Sequence, residues 1–286
     1  MTGDSIPLPF KQVGAARGRL IFYFHGVPGA PAEMDAFDSV ARQCDAEIIC
    51  LDRFLADPCL QGDDYFRHLA AQIERIAGGR KMEWVGFSIG AFVAIKTVQY
   101  LAQRVTHLHL VSAAAPLDGA DHLERAAGKH IFMLAQRYRY GFRLLASAQR
   151  VLARRLPSVM FRILFSNAAG ADVALSQDPE FQSRMKTVLR DGFGKSRAGY
   201  VRDLHAYVGP WRPCLAGVAT PTSIWHGEAD NWSPISMADD LASSIPGCPA
   251  KQVLAGQSHY SCLYQAVPFI LAAGVGALGR TSASQC

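Results

Sequence analysis

The sequence predicts an α/β fold, in which helices flank a mostly parallel sheet that also carries an inserted, all-helical segment. Short apolar runs alternate with helical periodicity up to about residue 116, and the alternation resumes after residue 208. The connections are short, as expected where helices return the chain to one edge of a parallel sheet. Residues 117–208 break the alternation, because their pattern is helical throughout.

The predicted strands are apolar runs of about five to eight residues. The run over residues 19–24 is nearly continuous, which is typical of a strand buried on both faces. The other predicted strands cover residues 6–13, 46–51, 82–85, 105–111, 222–225 and 250–254.

The predicted helices carry apolar residues at helical spacing and suitable residues at their ends. Asp63 and Asp64 begin one helix, where negative charge suits the helix dipole, and Gly78 follows its end. Ser233 and Pro234 begin another. The predicted helices cover residues 31–43, 63–77, 89–103, 234–244 and 260–278.

A Gly-x-Ser-x-Gly pattern, Gly86 to Gly90, lies between a predicted strand and a predicted helix. A serine in such a turn occupies a strained backbone conformation, and the two glycines let strand and helix pass without side-chain clashes. Its hydroxyl then projects above the sheet. The pattern by itself also fits an ordinary strand-to-helix turn, so Ser88 is a candidate nucleophile at this point.

A serine nucleophile needs a base, and the base needs an acid to orient it. In a parallel sheet, loops at the carboxyl ends of the strands gather on one edge. Asp230 follows the penultimate predicted strand and His259 follows the last, so both are expected near Ser88. Asp118, just after another strand, is the alternative acid, and His25 is an alternative base.

Two backbone N–H groups are expected to stabilise an oxyanion. One is that of Ile89, directly after the serine. The other is that of Val27, in the loop His25-Gly-Val-Pro-Gly29 that follows the second predicted strand. The glycines and proline make this loop tight, which suits a preorganised donor.

The loop of residues 25–29, the serine turn of residues 86–90, the acid Asp230 and the base His259 follow one another in this order. In this the chain resembles serine-nucleophile members of the α/β-hydrolase superfamily. The resemblance covers residues 18–115 and 210–278. It implies a core domain of residues 1–116 and 209–286, and a helical cap, or lid, of residues 117–208. The chain departs from the family after Asp52 and Arg53, where the usual Gly-x-Gly is missing. Its N-terminus is also short for the family.

The resemblance implies a serine hydrolase that cleaves an ester, thioester or amide bond of a small hydrophobic substrate through an acyl-enzyme. Its catalytic residues would be Ser88, Asp230 and His259. Two alternatives remain open. One is a non-catalytic protein that binds a small molecule with the same fold, and the other is a carbon–carbon hydrolase, lyase or cofactor-free oxygenase that uses the same three residues.

The 286 residues carry a formal charge of +5, and half of them are hydrophobic. No motif for nucleic acid is present, and no apolar run reaches the length of about 18 residues that an integral membrane segment needs. Seven irregularly spaced cysteines suggest neither a zinc site nor a disulfide framework. We therefore expect a cytoplasmic monomer or dimer with no cofactor and no metal.

Residues 125–162 hold nine Lys and Arg residues and no acid, with aromatic and aliphatic residues between them. Three interpretations remain open: a lid over the site, an amphipathic segment at a membrane surface, or a solvated basic face. The lid is favoured because the αβ alternation resumes after it. The basic residues can also attract an anionic substrate or carrier.

Overall fold

The computed structural model describes residues 6–118, 121–247 and 250–281. Its described strands form one seven-stranded sheet in the order β1-β3-β2-β4-β5-β6-β7. β1 pairs antiparallel with β3, and every other pair is parallel. The strands are β1 (Phe10–Gly14), β2 (Arg19–Phe24), β3 (Ala46–Leu51), β4 (Met82–Phe87), β5 (Val105–Val111), β6 (Thr222–Gly227) and β7 (Ala250–Leu254).

The described residues form twelve α-helices and three short 3-10 helices. The α-helices are α1 (Asp38–Gln43), α2 (Gly62–Ala77), α3 (Ile89–Val98), α4 (His122–Arg125), α5 (Lys129–Arg137), α6 (Arg139–Arg155), α7 (Pro157–Leu164), α8 (Asp172–Leu175), α9 (Pro179–Gly194), α10 (Arg197–Tyr207), α11 (Ile235–Ser244) and α12 (His259–Thr281). The 3-10 helices are Pro31–Phe37, Arg53–Leu55 and Arg212–Gly217.

The sheet lies between two groups of helices, α1 with α12 and α2 with α3. All six residues of β3 and five of six in β2 are buried, as their apolar runs predicted. α2 begins with Asp63 and Asp64 near its N-terminus and ends at Gly78, which has the left-handed φ of 59°. The predicted α/β architecture is confirmed.

Several element bounds differ from those predicted. The first strand begins at Phe10 rather than residue 6, and the predicted helix 31–43 divides into the 3-10 helix Pro31–Phe37 and α1. α3 ends at Val98, five residues early. β4 and β6 each extend two residues further, and α11 begins just after Pro234. β4 and β6 continue past their apolar runs because their backbones stay paired with neighbouring strands. The spacing of apolar residues in the sequence carries no information about this pairing.

Between β5 and β6 the chain forms α4 to α10, which we call the helical insertion, and then the 3-10 helix Arg212–Gly217. A buried ion pair connects the helical insertion to the core. Arg53, in the 3-10 helix after β3, donates from Nε to Asp203 Oδ2 of α10 at 2.7 Å. Arg202 donates from Nη2 to the Arg53 carbonyl at 2.8 Å. A side chain at Gly199 would lie 2.1 Å from the Phe54 carbonyl oxygen, so only glycine allows this approach.

Candidate active site

Ser88 stands at the turn from β4 into α3 with φ of 54° and ψ of −129°. This is a left-handed conformation that non-glycine residues seldom adopt, and it stores strain. A Cβ at Gly86 would lie 2.6 Å from Ala91 Cα, and one at Gly90 would lie 2.1 Å from the Phe24 carbonyl oxygen. Both glycines are therefore required by close backbone approach, in the way the pattern predicted.

Asp230 and His259 come together although 29 residues separate them in sequence. Asp230 follows β6, His259 is the first residue of α12, and His259 Nδ1 lies 2.8 Å from Asp230 Oδ2. The other carboxylate oxygen, Oδ1, accepts hydrogen bonds from the amides of Trp232 at 2.8 Å and Ser233 at 3.0 Å. The carboxylate is thus held in one orientation against the imidazole.

Both side chains of this pair are buried. Burial alone would raise the pKa of Asp230, but the charge and hydrogen bond of His259 outweigh it, with help from His226, and the pKa lies below its usual value. Asp230 is therefore ionised at neutral pH. An ionised acceptor on Nδ1 selects the imidazole tautomer whose Nε2 is free to take a proton.

The imidazole of His259 is held between aromatic rings. Trp232 stacks on it with a centroid distance of 5.2 Å and an interplanar angle of 8°, and Phe87, the neighbour of Ser88, lies 4.9 Å away. Ser112, after β5, donates to the His259 carbonyl at 3.0 Å. The ring therefore lies beside the serine turn with little freedom to rotate.

The serine and the imidazole are not bonded to each other in this structure. Among the described residues, neither Ser88 Oγ nor His259 Nε2 has a hydrogen-bond partner. Hydrogen bonds between catalytic groups are often long without substrate and shorten when it binds. Asp230 and His259 are thus paired, and Ser88 follows Phe87, whose ring contacts that of His259.

Val27 and Ile89 both line the cavity at Ser88. Neither amide donates a hydrogen bond within the described part of the chain. Ile89 is the first residue of α3, where amides have no partner inside the helix and the dipole favours negative charge. Within the described residues, both amides are therefore free of a hydrogen-bond acceptor.

The alternative acid, Asp118, and the alternative base, His25, each interact with other residues. Asp118 is half-exposed and accepts from Arg212 Nε at 2.9 Å. His25 is fully buried, with Nδ1 2.9 Å from the Gly26 carbonyl oxygen. Burial, and then the charge of Arg53, lower the pKa of His25 well below its usual value, so it stays neutral within its loop.

The cavity above Ser88 has a volume of about 270 Å³. The helical insertion supplies most of its walls through α5, α6, α7, α9 and α10. Trp232, which stacks on His259, also lines the cavity. Apolar lining residues from the insertion are Ala127, Ile131, Phe132, Met160, Ile163, Leu164, Phe193 and Leu204.

One site residue was missed by the sequence reasoning. Asp172, at the start of α8, is buried and accepts hydrogen bonds from the amides of Tyr260 at 3.1 Å and Ser261 at 2.6 Å. It therefore caps the N-terminus of α12 directly after His259. No local pattern reveals this, because Asp172 and Tyr260 are 88 residues apart.

His107 and His109, which alternate with leucines in β5, each interact with a side chain of a neighbouring strand. His107 Nε2 lies 2.8 Å from Ser223 Oγ, and His109 Nε2 lies 3.5 Å from Glu83. Within the described ranges, no three His, Cys, Asp or Glu side chains cluster in a way that would hold a metal ion. No helix there is long and apolar enough to cross a bilayer.

No protein-family model and no curated protein matches the sequence. Many solved structures match the fold. An esterase from Exiguobacterium antarcticum aligns with a TM-score of 0.65 and 17% identity over 94% of this chain and 95% of its own. An enol-lactonase from Burkholderia xenovorans gives 0.63 and 16% over 95% and 96%.

A third structure, an α/β hydrolase from a deep-sea metagenome library of the Medee basin, gives a TM-score of 0.63 and 15% identity over 95% of this chain and 94% of its own. At identities this low, the similarity establishes the fold and does not establish the reaction. The alignments nevertheless span the sheet and the insertion together. The protein therefore has the α/β-hydrolase fold that its strand order, serine turn and sequence motifs indicated.

Proposed function

We propose that the protein is a serine hydrolase that cleaves an ester, thioester or amide bond of a small hydrophobic substrate. The single observation that carries the proposal is the ionised Asp230 on His259 Nδ1 at 2.8 Å, with the His259 ring against Phe87, the residue that precedes a serine held at a strained strand-to-helix turn. A binding protein has no need of this arrangement. The esterase and the lactonase among the similar structures agree with acyl chemistry.

The reaction begins when Ser88 Oγ attacks the carbonyl carbon and His259 Nε2 takes the hydroxyl proton. The carbonyl oxygen becomes an oxyanion, to which the Val27 and Ile89 amides donate. Collapse of this intermediate expels the alcohol, thiol or amine, which receives the proton from His259. Water then attacks the acyl-serine with the same base, and releases the acid and Ser88.

We propose the helical insertion, residues 117–208, as a cap on a core of residues 1–116 and 209–286. Its helices form most of the cavity wall, so it would determine which acyl groups fit. The volume of about 270 Å³ and the apolar lining favour a short acyl or aromatic group. Cytoplasmic location and the monomeric or dimeric state stay predictions.

The test is turnover of p-nitrophenyl esters of increasing acyl length. We expect Ser88→Ala to lose at least about 10³-fold in kcat while its thermal unfolding stays near that of the wild type. Activity should fall steeply once the acyl chain exceeds the cavity. Wild-type activity in Ser88→Ala would remove Ser88 as the nucleophile.

A fluorophosphonate probe separates an enzyme from a binding protein. We expect one label per chain on Ser88, and much slower labelling in His259→Asn, because the probe needs the serine proton removed. No labelling of the wild type would favour the binding protein.

A further inference from the structure

A second cavity, of about 480 Å³, lies behind the proposed active site. α10 separates the two. Tyr200, Leu204 and Tyr207 line the cavity at Ser88, whereas Val201 and His205 line the second cavity from another face of the same helix. The second cavity also has walls from the core, through α2 and α3, and from α6 of the insertion. It is therefore a separate space between insertion and core.

The lining of this cavity is charged with one sign. Its ionised side chains are Lys96, Arg139, Arg143, Arg197 and Arg202, and its lining includes no Asp or Glu. We call it the basic cavity. Cations gathered in a concave, low-dielectric wall reinforce one another's potential and concentrate anions from solution.

Within the described residues, two of these five cations lie within ion-pair distance of an acid, and the acid at Arg202 is shared with Arg53. Lys96 pairs with Asp63 at 3.2 Å, and Arg202 with Asp203 at 3.3 Å. Arg197 donates to the neutral Ser147 Oγ at 2.7 Å. Over the described ranges, the guanidinium groups of Arg139 and Arg143 have neither a hydrogen-bond nor an ion-pair partner; Arg143 accepts from Ser147 Oγ only through its backbone carbonyl. Three guanidinium groups thus remain available on one side of the cavity.

Two further observations fit an anionic ligand. Burial lowers the pKa of the His205 imidazole, which lies close enough to Arg139 and Arg143 that their charges lower this pKa further. His205 Nε2 is buried and has no partner in the described structure. Phe66, Phe92 and Trp211 form an apolar part of the lining, which an inorganic ion would leave without a contact.

We propose that the basic cavity binds a small organic phosphate that carries at least two negative charges. Its phosphate would lie between Arg139, Arg143 and Arg197, because guanidinium groups match phosphate oxygens in charge and geometry. Its organic part would lie on the aromatic lining. The volume is within the range of about 300–1,000 Å³ usual for small-ligand sites.

The test is isothermal titration calorimetry with inorganic pyrophosphate, in buffer of about 50 mM salt so that screening is weak. The paired variants are Arg139→Gln/Arg143→Gln and the control Arg137→Gln/Arg155→Gln. All four arginines are exposed residues of α5 and α6, and each pair removes the same charge, but only the first pair lines the cavity.

We expect one site per chain, with Kd raised about tenfold or more in the cavity pair and about twofold or less in the control pair. Arg197→Gln should act as the cavity pair does. Absence of one-to-one binding, or equal weakening in both pairs, would overturn the proposal. Binding is measured without any substrate, so the outcome does not depend on the proposed hydrolase reaction.

Phosphate can come from a soluble metabolite or from a lipid headgroup, and a sedimentation assay with phosphatidylglycerol vesicles distinguishes these sources. Vesicle binding that pyrophosphate displaces and that the cavity pair loses identifies a headgroup. Pyrophosphate binding without vesicle binding identifies a soluble ligand. Vesicle binding lost equally in both pairs, with no pyrophosphate site, counts against the cavity and for the general charge of the insertion.

Discussion

Burial changes the protonation state of individual side chains in this protein from the state that they would have in water. Glu33, in the 3-10 helix after the Val27 loop, is the clearest case. Its side chain is buried, and Tyr23 Oη donates to its Oε2 at 2.7 Å. Burial is the largest influence and raises the pKa of Glu33 to about 7, against the opposing effects of Tyr23 and Arg53.

This pKa predicts a specific dependence of stability on pH. Between about 4.5 and 7 the folded protein holds a proton on Glu33 that the unfolded chain has lost, so the contribution of Glu33 falls as pH rises through that window. We expect the free energy of unfolding of the wild type minus that of Glu33→Gln to fall by about 3 kcal/mol across it, since one pKa unit is about 1.4 kcal/mol.

Urea unfolding of both proteins from pH 4 to 8 measures this difference. Subtraction removes the opposing contribution of the buried histidines, which is common to both proteins. A difference that stays constant with pH would show that Glu33 is ionised in the folded state at pH 5 and above.

At the scale of elements, the start of α12 depends on a residue from another element. Asp172 of the insertion caps α12 beside His259, whereas Asp178 caps its own helix, α9, by accepting from the Phe181 amide at 2.7 Å. Both are N-caps, and the first amides of a helix need such acceptors. Of these two caps, Asp172 is the one that connects the insertion to the helix that begins with the proposed base.

We expect Asp172→Ala to lose about 2–3 kcal/mol of stability, because two buried amides lose a charged acceptor. We also expect kcat for an ester to fall about tenfold or more, since a small shift of His259 misaligns proton transfer. Asp178→Ala should lose about 1 kcal/mol with kcat unchanged. Equal kcat in the two variants would mean that Asp172 is only a structural cap.

At the scale of the whole molecule, the insertion and the core share buried contacts. The Arg53–Asp203 pair is almost completely buried, and the amide of Ala171 donates to the Gly256 carbonyl at 2.9 Å, next to the loop that precedes His259. Breaking a buried pair costs about 3–5 kcal/mol, because one charge is left without a partner. The two parts should therefore unfold together.

Tryptophan fluorescence tests this expectation, because all four tryptophans lie outside residues 117–208. We expect the thermal transition by tryptophan fluorescence to coincide with the transition of helical circular dichroism, which includes the insertion. A lower-temperature transition seen only by circular dichroism would show that the insertion unfolds first.

The sequence alone determined the αβ alternation, the placement of the insertion and the order Ser88, Asp230, His259. These depend on local features, namely apolar periodicity and turn residues, and on the rule that parallel strands end at one edge. The strained conformation of Ser88 and the need for Gly86 and Gly90 follow from a five-residue pattern. A Cβ at Gly86 would lie 2.6 Å from Ala91 Cα, and one at Gly90 would lie 2.1 Å from the Phe24 carbonyl oxygen. Both obstructing atoms belong to the same turn or to its neighbouring strand.

Only the tertiary structure decided which groups meet. It paired Asp230 with His259 and Asp118 with Arg212, placed Asp172 on α12, and joined Arg53 to Asp203 across 150 residues. It also divided the basic residues of the insertion between open surface and the basic cavity. Such contacts depend on how helices pack over the sheet, which is a property of the whole core and leaves no periodic trace in the chain.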